Sequence, residues 1–402
     1  MRIQLWSYNY DPEPTGIGPM SRVWADGLRD LGHDVDVVAA HPHYPVPIWG
    51  RRILPYRETR GGTRVLRLPL WVGRATSTER YRQELTYMAA QFAALPILRS
   101  PDVLVSGSPS FPALLPAMVN TRIRRVPWVL WLHDILPDAA TATGLVDEGL
   151  VLKASRWLER TAYAAAGAIV VPSTPFAENL RGKGVPADKI RVIGYPATRA
   201  PQPAGAGVDR SPTPRLLTMG NIGHSQGLAT LVRAFEANPA GCESVRFVIT
   251  GEGVAAADVR AEIRSGRVEM VGLLDDEHLE AELHRATIAV VSQNHTGGEF
   301  NIPSKMMNFM AYGLPVLAAV DPRGEVARIV DRSRAGWVVD SRRPESFPAA
   351  VAKAIADPAE IARRGLAAEI YARDNFSRAA FARRFDEVLG EAAGARRPGG
   401  PG

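Results

Sequence analysis

Short apolar runs alternate with amphipathic helical segments almost from end to end of this 402-residue chain, and nothing else in it constrains the fold as much. The runs in the first half fall at 2–8, 34–40, 63–69, 102–107, 127–133, 168–172 and 190–193, with helical segments notably at 19–31, 78–95, 149–166 and 174–183. Such runs are too short for buried helices. Separated by helical periodicity, they read as βαβ units on a parallel sheet. The pattern breaks near 196–214, a stretch rich in Pro, Gly and Ala without periodicity, as expected of a linker. It restarts with runs near 215–220, 245–250, 268–273, 288–293, 315–320 and 335–340. The expected fold class is α/β: two doubly wound domains whose strand-end loops face a central cleft. The expected division is 1–197, a linker at 198–213, 214–375, an amphipathic final helix at 376–391 and a disordered tail at 392–402.

A length of 402 residues suits two domains, and 46% hydrophobic with 22% charged residues describes a soluble globular protein. No run of eighteen uncharged apolar residues suggests a spanning helix, and MRIQLWSYNY enters a strand directly, without a signal peptide. One cysteine, Cys242, excludes an intramolecular disulfide and fits a reducing compartment. The expected location is cytoplasmic, with peripheral contact to the inner face of the cell membrane as an option. The net charge of +6 is uneven: residues 51–74 hold seven arginines against one glutamate, and RIRRVPW at 122–128 adds three more beside a tryptophan. Nucleic acid, an anionic membrane or a diphosphate-linked lipid would each suit such patches, and so would a solvated face with no partner.

The richest segment for chemistry is 294–320, NHTGGEFNIPSKMMNFMAYGLPVLAAV. A polar loop with Glu299 and Asn301 enters a helix near Pro303, beside Ser304 and Lys305. Met306, Phe309 and Met310 form its buried face at i, i+3, i+4. Free N–H groups, a positive helix end and a lysine together suit a phosphate, and the carboxylate and amides beside them suit sugar hydroxyls. Between the first strand and its helix stands YDPEPTGIGPM, where Gly16 and Gly18 would let backbone amides approach a ligand. It is neither the dinucleotide fingerprint nor a Walker A loop. His133 and Asp134 end the 127–133 run, where a histidine could hydrogen-bond a substrate oxygen. In the second half, Asn221 and Gln226 sit in GNIGHSQGL, Gly251 and Glu252 in GEG, and Gly272 and Leu273 end the third run. Three strand-end loops converging on one edge suit a nucleotide. His41 and His43 are the only close histidine pair, and no metal is expected.

These motifs, with HPHYP at 41–45 and SPSFPAL at 108–114, occur in an order that resembles the GT-B fold retaining glycosyltransferases of family 4. The resemblance is to the bacterial subgroup of exopolysaccharide and O-antigen synthesis, of the colanic-acid type, and it spans nearly the whole chain. It implies two Rossmann-like domains, an N-terminal one that holds the acceptor and a C-terminal one that holds a nucleotide-sugar donor. The final helix, 376–391, would return to the first domain. Donor contacts would come from Gly16, Gly18, Asn221, Gln226, Gly251, Glu252, Gly272, Leu273, Asn301, Ser304 and Asn308. Acceptor contacts would come from Tyr10, Thr15, His43 and Tyr44, and catalytic ones from His133, Asp134, Glu299 and Lys305. No cofactor is implied, the nucleotide-sugar being a substrate. Two departures matter. The Arg and Lys that many members use to grip the diphosphate fall at the neutral Asn221 and Gln226, leaving Lys305 as the compensating cation. Of the family's glutamate pair, the first falls at Phe300 with Glu299 beside it, and the second at Asn308.

The expected function is thus retaining, metal-independent transfer of a hexose-type sugar from a UDP- or GDP-type donor to a lipid-linked or other glycan acceptor in cell-surface polysaccharide synthesis, without a nucleic-acid partner. Three alternatives stay open: a nucleotide-sugar epimerase of the same architecture, a transferase for a soluble natural-product acceptor, and a non-catalytic nucleotide-sugar-binding protein.

Overall fold

The structure, a computed structural model, describes residues 1–14, 17–43, 52–73, 76–107, 110, 112–133, 150–199, 213–238, 240–294 and 302–394. The chain divides into two compact units, Met1–Gly194 with Phe381–Gly402, and Tyr195–Ala380.

The first unit is built on an eight-stranded sheet: β1 (Arg2–Ser7), β2 (Asp34–Ala40), β3 (Tyr56–Arg60), β4 (Thr63–Leu68), β5 (Val103–Gly107), β6 (Trp128–Trp131), β7 (Ala168–Val171) and β8 (Ile190–Val192). The order is β3-β4-β2-β1-β5-β6-β7-β8. All neighbours are parallel except β3 and β4, which form an antiparallel hairpin with Tyr56 opposite Arg67. Its helices are α1 (Ile17–Asp30), α2 (Ser77–Ala94), α3 (Leu114–Arg124), α4 (Leu150–Ala165) and α5 (Thr174–Gly182). A capping box starts α2: the Thr76 side chain accepts from the Glu79 amide while Glu79 accepts from the Thr76 amide. One face of the sheet carries α2 to α5 over a core that includes Tyr87, Leu114, Trp128 and Tyr163. The other face carries α1 and the C-terminal helix Arg378–Gly394, where Phe381 and Phe385 pack against Trp131, and Phe385 also against Trp24.

The hairpin takes up most of the described arginines of 52–73. Sequence reading placed no strand at 56–60, since YRETR has no apolar alternation. Arg64 bonds Asp36 and Asp34, both at 2.6 Å, and Arg60 bonds Glu58 at 3.3 Å. Arg67 is fully buried, bonding Glu58 at 2.8 Å and the Ala40 carbonyl at 3.1 Å. Arg52 lies over the Tyr56 ring. Most of the described cations here are matched within the fold instead of forming an open basic patch.

The second unit has a wholly parallel six-stranded sheet: β9 (Arg215–Met219), β10 (Arg246–Thr250), β11 (Val268–Gly272), β12 (Ile288–Ser292), β13 (Val316–Val320) and β14 (Gly336–Asp340). The order is β11-β10-β9-β12-β13-β14. The order reverses between β9 and β12, and in such sheets the crevice beyond the carboxyl ends at that point is the ligand site. The helices that matter for it are α6 (Leu228–Ala237), α7 (Ala256–Ala261), α8 (Asp276–Arg285) and α9 (Ser304–Ala311). Every residue of β13 is buried, as expected of a strand covered on both faces. Among the described residues, no helix is long and apolar enough to cross a membrane.

Candidate functional site

The site is assembled at the carboxyl ends of β9, β10, β11 and β12, and backbone interlock holds it. Gly220 donates to the Thr250 carbonyl at 2.9 Å, Ile222 to the Glu252 carbonyl at 3.0 Å, and Gly251 to the Gly272 carbonyl at 2.7 Å. The Thr250 hydroxyl also donates to the Gly272 carbonyl, at 2.9 Å, and the β10–β11 register shifts at Ile249/Thr250. Such irregularities re-aim the chain at strand ends. Gly251 has φ +132°, and a Cβ there would sit 1.9 Å from the Gly220 carbonyl oxygen. Its missing side chain therefore serves loop-to-loop contact, where sequence reading gave it to a ligand. Glu252 and Leu273 are exposed beside it, Leu273 to 76%.

Across the switch point, the loop after β9 is tied to the end of β12 by Asn294. Its amide N–H donates to the Ser225 carbonyl and its Nδ2 to the His224 carbonyl, each at 2.7 Å. Sequence reading passed over Asn294; the one available signal was an amide two residues past a buried strand.

Lys305 reaches the same loop from the first turn of α9. Pro303 precedes the helix, and Met306, Phe309 and Met310 are fully buried, which fixes the helix on the sheet and aims its start. The Lys305 ammonium donates to Gln226 Oε1 at 2.9 Å, and Gln226 Nε2 donates to the Asn221 carbonyl. No carboxylate among the described residues pairs with it. Burial pushes its ammonium down to about 8, although part of the residue still reaches the surface. Asn221, Gln226 and Lys305 are thus brought together, with exposed Ser304 one residue from the lysine. A desolvated cation held by a neutral amide at the start of a helix can take an anion.

Asn308 does something other than expected. Its Oδ1 accepts from the Thr198 and Arg199 amides at 2.9 and 3.0 Å, and its Nδ2 donates to the Thr198 hydroxyl at 3.3 Å. That side chain fastens the start of the linker segment to α9, a role the sequence gave no sign of.

In the first unit, His133 stands just past the end of β6, its ring tilted against that of Trp131 with centroids 4.4 Å apart. Burial holds its imidazole down to about 3, so it is neutral at physiological pH. A Cβ on Gly107 would lie 3.8 Å from its Nε2, which places His133 at the β1/β5 switch point of its own sheet, near Ser7 and Ile17. Gly18 is buried in α1, where a Cβ would meet the Glu13 carbonyl oxygen at 2.8 Å; it too serves backbone approach.

Two residues expected to contact the acceptor are turned into the fold. Tyr10 is fully buried in the core beside Arg67, and burial pushes its hydroxyl up to about 12. His43 is enclosed against the Tyr8 ring, with its amide donating to Glu13 Oε1 at 2.9 Å. Glu13, which sequence reading missed, also accepts from Asn9 Nδ2 at 3.0 Å and the Tyr10 amide at 3.3 Å, bracing the loop before the glycines. Its signal was an acid between two prolines ahead of Gly16. Asp134, Glu299, Asn301, Gly16, Thr15 and Tyr44 lie outside the described residues. Among the described residues, no group of three or more His, Cys, Asp or Glu is arranged to hold a metal ion.

Comparison with known proteins matches residues 15–196 to the glycosyl transferase 4-like domain and 213–357 to the glycosyl transferases group 1 domain. WcaI of Escherichia coli (strain K12), named as a colanic acid biosynthesis glycosyl transferase, is 26% identical over 354 residues, which cover 82% of this chain and 86% of that protein. Among solved structures, sucrose-phosphate synthase from Thermosynechococcus elongatus aligns over 98% of this chain and 100% of its own, at 18% identity and a TM-score of 0.69. Anabaena HepE in complex with UDP aligns over 97% and 100%, at 15% identity and a TM-score of 0.65.

Proposed function

The chain belongs to the GT-B glycosyltransferases, with a 4-like N-terminal domain and a group 1 C-terminal domain, and we propose that it transfers a sugar, with retention, from a UDP- or GDP-type donor to a lipid-linked or other glycan acceptor in cell-surface polysaccharide synthesis. One observation carries the proposal: a buried ammonium, Lys305, aimed at the loop after β9 and seated on Gln226 at 2.9 Å. The leaving group is a diphosphate that gains charge as the glycosidic bond breaks. A preorganised cation and helix-end amides stabilise that charge most where water is excluded. The Anabaena structure is a complex with UDP, and WcaI is named for colanic acid biosynthesis; both support the choice of substrate classes.

In this reading the nucleotide lies along β9–β11, with Glu252 and Leu273 bordering the base and Lys305 at the diphosphate. His133, neutral at working pH, offers a ring nitrogen for hydrogen bonding at the strand ends of the first unit. The acceptor hydroxyl attacks the face the diphosphate leaves, and a departing phosphate oxygen takes its proton. Chain residues supply the charge stabilisation, and the reaction needs no metal ion. The protein acts on the cytoplasmic side of the membrane, in peripheral contact with it.

A thermal-shift screen of uridine and guanosine diphosphate sugars tests the donor class. A tight donor present at a hundred times its Kd adds about 2.7 kcal/mol. The anomeric configuration of the product, read by NMR, tests retention. No stabilisation by any member of the panel would sink the proposal.

A further inference from the structure

The helical layer over one face of the first unit's sheet has an unusual outer surface. α3 packs against both α2 and α4, and the inner sides of all three feed the same core. Their outward sides carry Tyr81 and Leu85 on α2, Ile123 on α3 and Trp157 on α4, with Ile97 in the turn after α2. Ile123 is 72% exposed and Trp157 61%, far more than packing would leave for residues of this size. The same helices carry exposed cations: Arg80 and Arg82 on α2, Arg82 lying over the Trp71 ring, Arg122 on α3, and Lys153 and Arg160 on α4. No carboxylate on the three helices is exposed. Glu79 and Glu84 are half-buried and engaged, and Glu159 is buried, bonded to Tyr163 and Lys183. Asp102, exposed in the connection after α2, accepts from the Arg2 amide at 2.7 Å.

We propose that this outer surface of α2, α3 and α4 docks on a bilayer carrying anionic headgroups. The charge pattern selects the occupant. Cations interleaved with aromatic and aliphatic tips match an interface where headgroup phosphates sit just above acyl chains, with Trp and Tyr at the boundary. A protein interface instead depletes charge at its centre. The inference extends the proposed function by naming where peripheral contact is made. It stands on this surface alone, so it is separable from donor binding. The paired arginines of the β3–β4 hairpin have no part in it.

Flotation of the full chain with phosphatidylcholine vesicles, with and without phosphatidylglycerol, tests it. Wild type should float with the anionic vesicles and be released by salt, since surface attraction is screened. Leu85→Glu with Trp157→Glu, and separately Arg122→Glu with Arg160→Glu, should each lower partitioning at least about tenfold. Ile370→Glu, at an exposed apolar position of the second unit, should float like wild type. Unchanged nucleotide-sugar stabilisation in all variants shows that they are folded. Equal flotation of wild type and the surface variants would overturn the inference. So would binding to a single-stranded oligonucleotide, or a shift in oligomeric state by light scattering, that depends on these side chains while vesicles are ignored.

Discussion

Replacing Lys305 with methionine keeps most of the aliphatic stem and deletes the ammonium. Burial lowers that ammonium from 10.5 to about 8, equivalent to roughly 3 kcal/mol of unfavourable charging in the fold. The folded value lies below the unfolded one, so the penalty is complete below pH 8 and fades between about 8 and 10.5. The variant also strands Gln226 Oε1, costing about 1 kcal/mol. At pH 7 Lys305→Met should therefore melt no lower than wild type, and any advantage should shrink as pH rises from about 8 towards 10.5. Binding should move the other way. A unit charge about 4 Å from the ammonium is worth about 4 kcal/mol at an effective dielectric of about 20. Allowing for water in the apo pocket, a loss of roughly 2–4 kcal/mol, or about 30- to 1,000-fold in Kd for the nucleoside diphosphate, is expected. The parent nucleoside, without phosphates, should bind both proteins alike. Calorimetry at several pH values adds a second readout: wild-type affinity should fall as pH rises through 8, and the variant's should stay flat. Equal diphosphate affinity in the two proteins, or a wild-type profile without that fall, would refute the reasoning.

Gln226→Glu would set a carboxylate beside the same ammonium; stability should rise while diphosphate affinity drops at least about tenfold, read by thermal shift and calorimetry on one sample. Gly251→Ala forces a Cβ onto the Gly220 carbonyl, so a loss of about 3 kcal/mol or more is expected in urea unfolding, with nucleotide affinity falling alongside. Asn308→Ala removes the clasp on Thr198 and Arg199 and should cost about 1–3 kcal/mol, leaving the Kd of the folded protein within about threefold.

The alternation of apolar runs and helices made the strands of both sheets legible to within a residue or two, because buried parallel strands cannot hide their composition. The strand β3 escaped for the opposite reason. YRETR belongs to an edge hairpin whose stability comes from ion pairs with Asp11 and β4 neighbours, and pairing between distant carboxylates and arginines leaves no local period. The position of Lys305 was legible, since a proline and an apolar i, i+3, i+4 face fixed where its helix began. The inward contacts of Tyr10, His43 and Asn308 were illegible for a shared reason. Each is a polar side chain in a resembled motif, two in loops and Asn308 on a helix, where sequence gives chemistry but not the direction in which that chemistry points. Tyr10 turns inward to the core, His43 to Glu13, and Asn308 to two backbone amides that are 110 and 109 residues away in sequence.

The main-chain lacing among the loops after β9, β10 and β11 has an evolutionary consequence. Because carbonyls and amides hold those loops in place, the outward side chains of Asn221, Glu252 and Leu273 bear little of the framework's integrity. Such positions can drift between relatives, or be randomised in the laboratory, with the scaffold intact. New preferences for base or sugar should therefore arise there by few steps, while the glycines beneath them tolerate almost none.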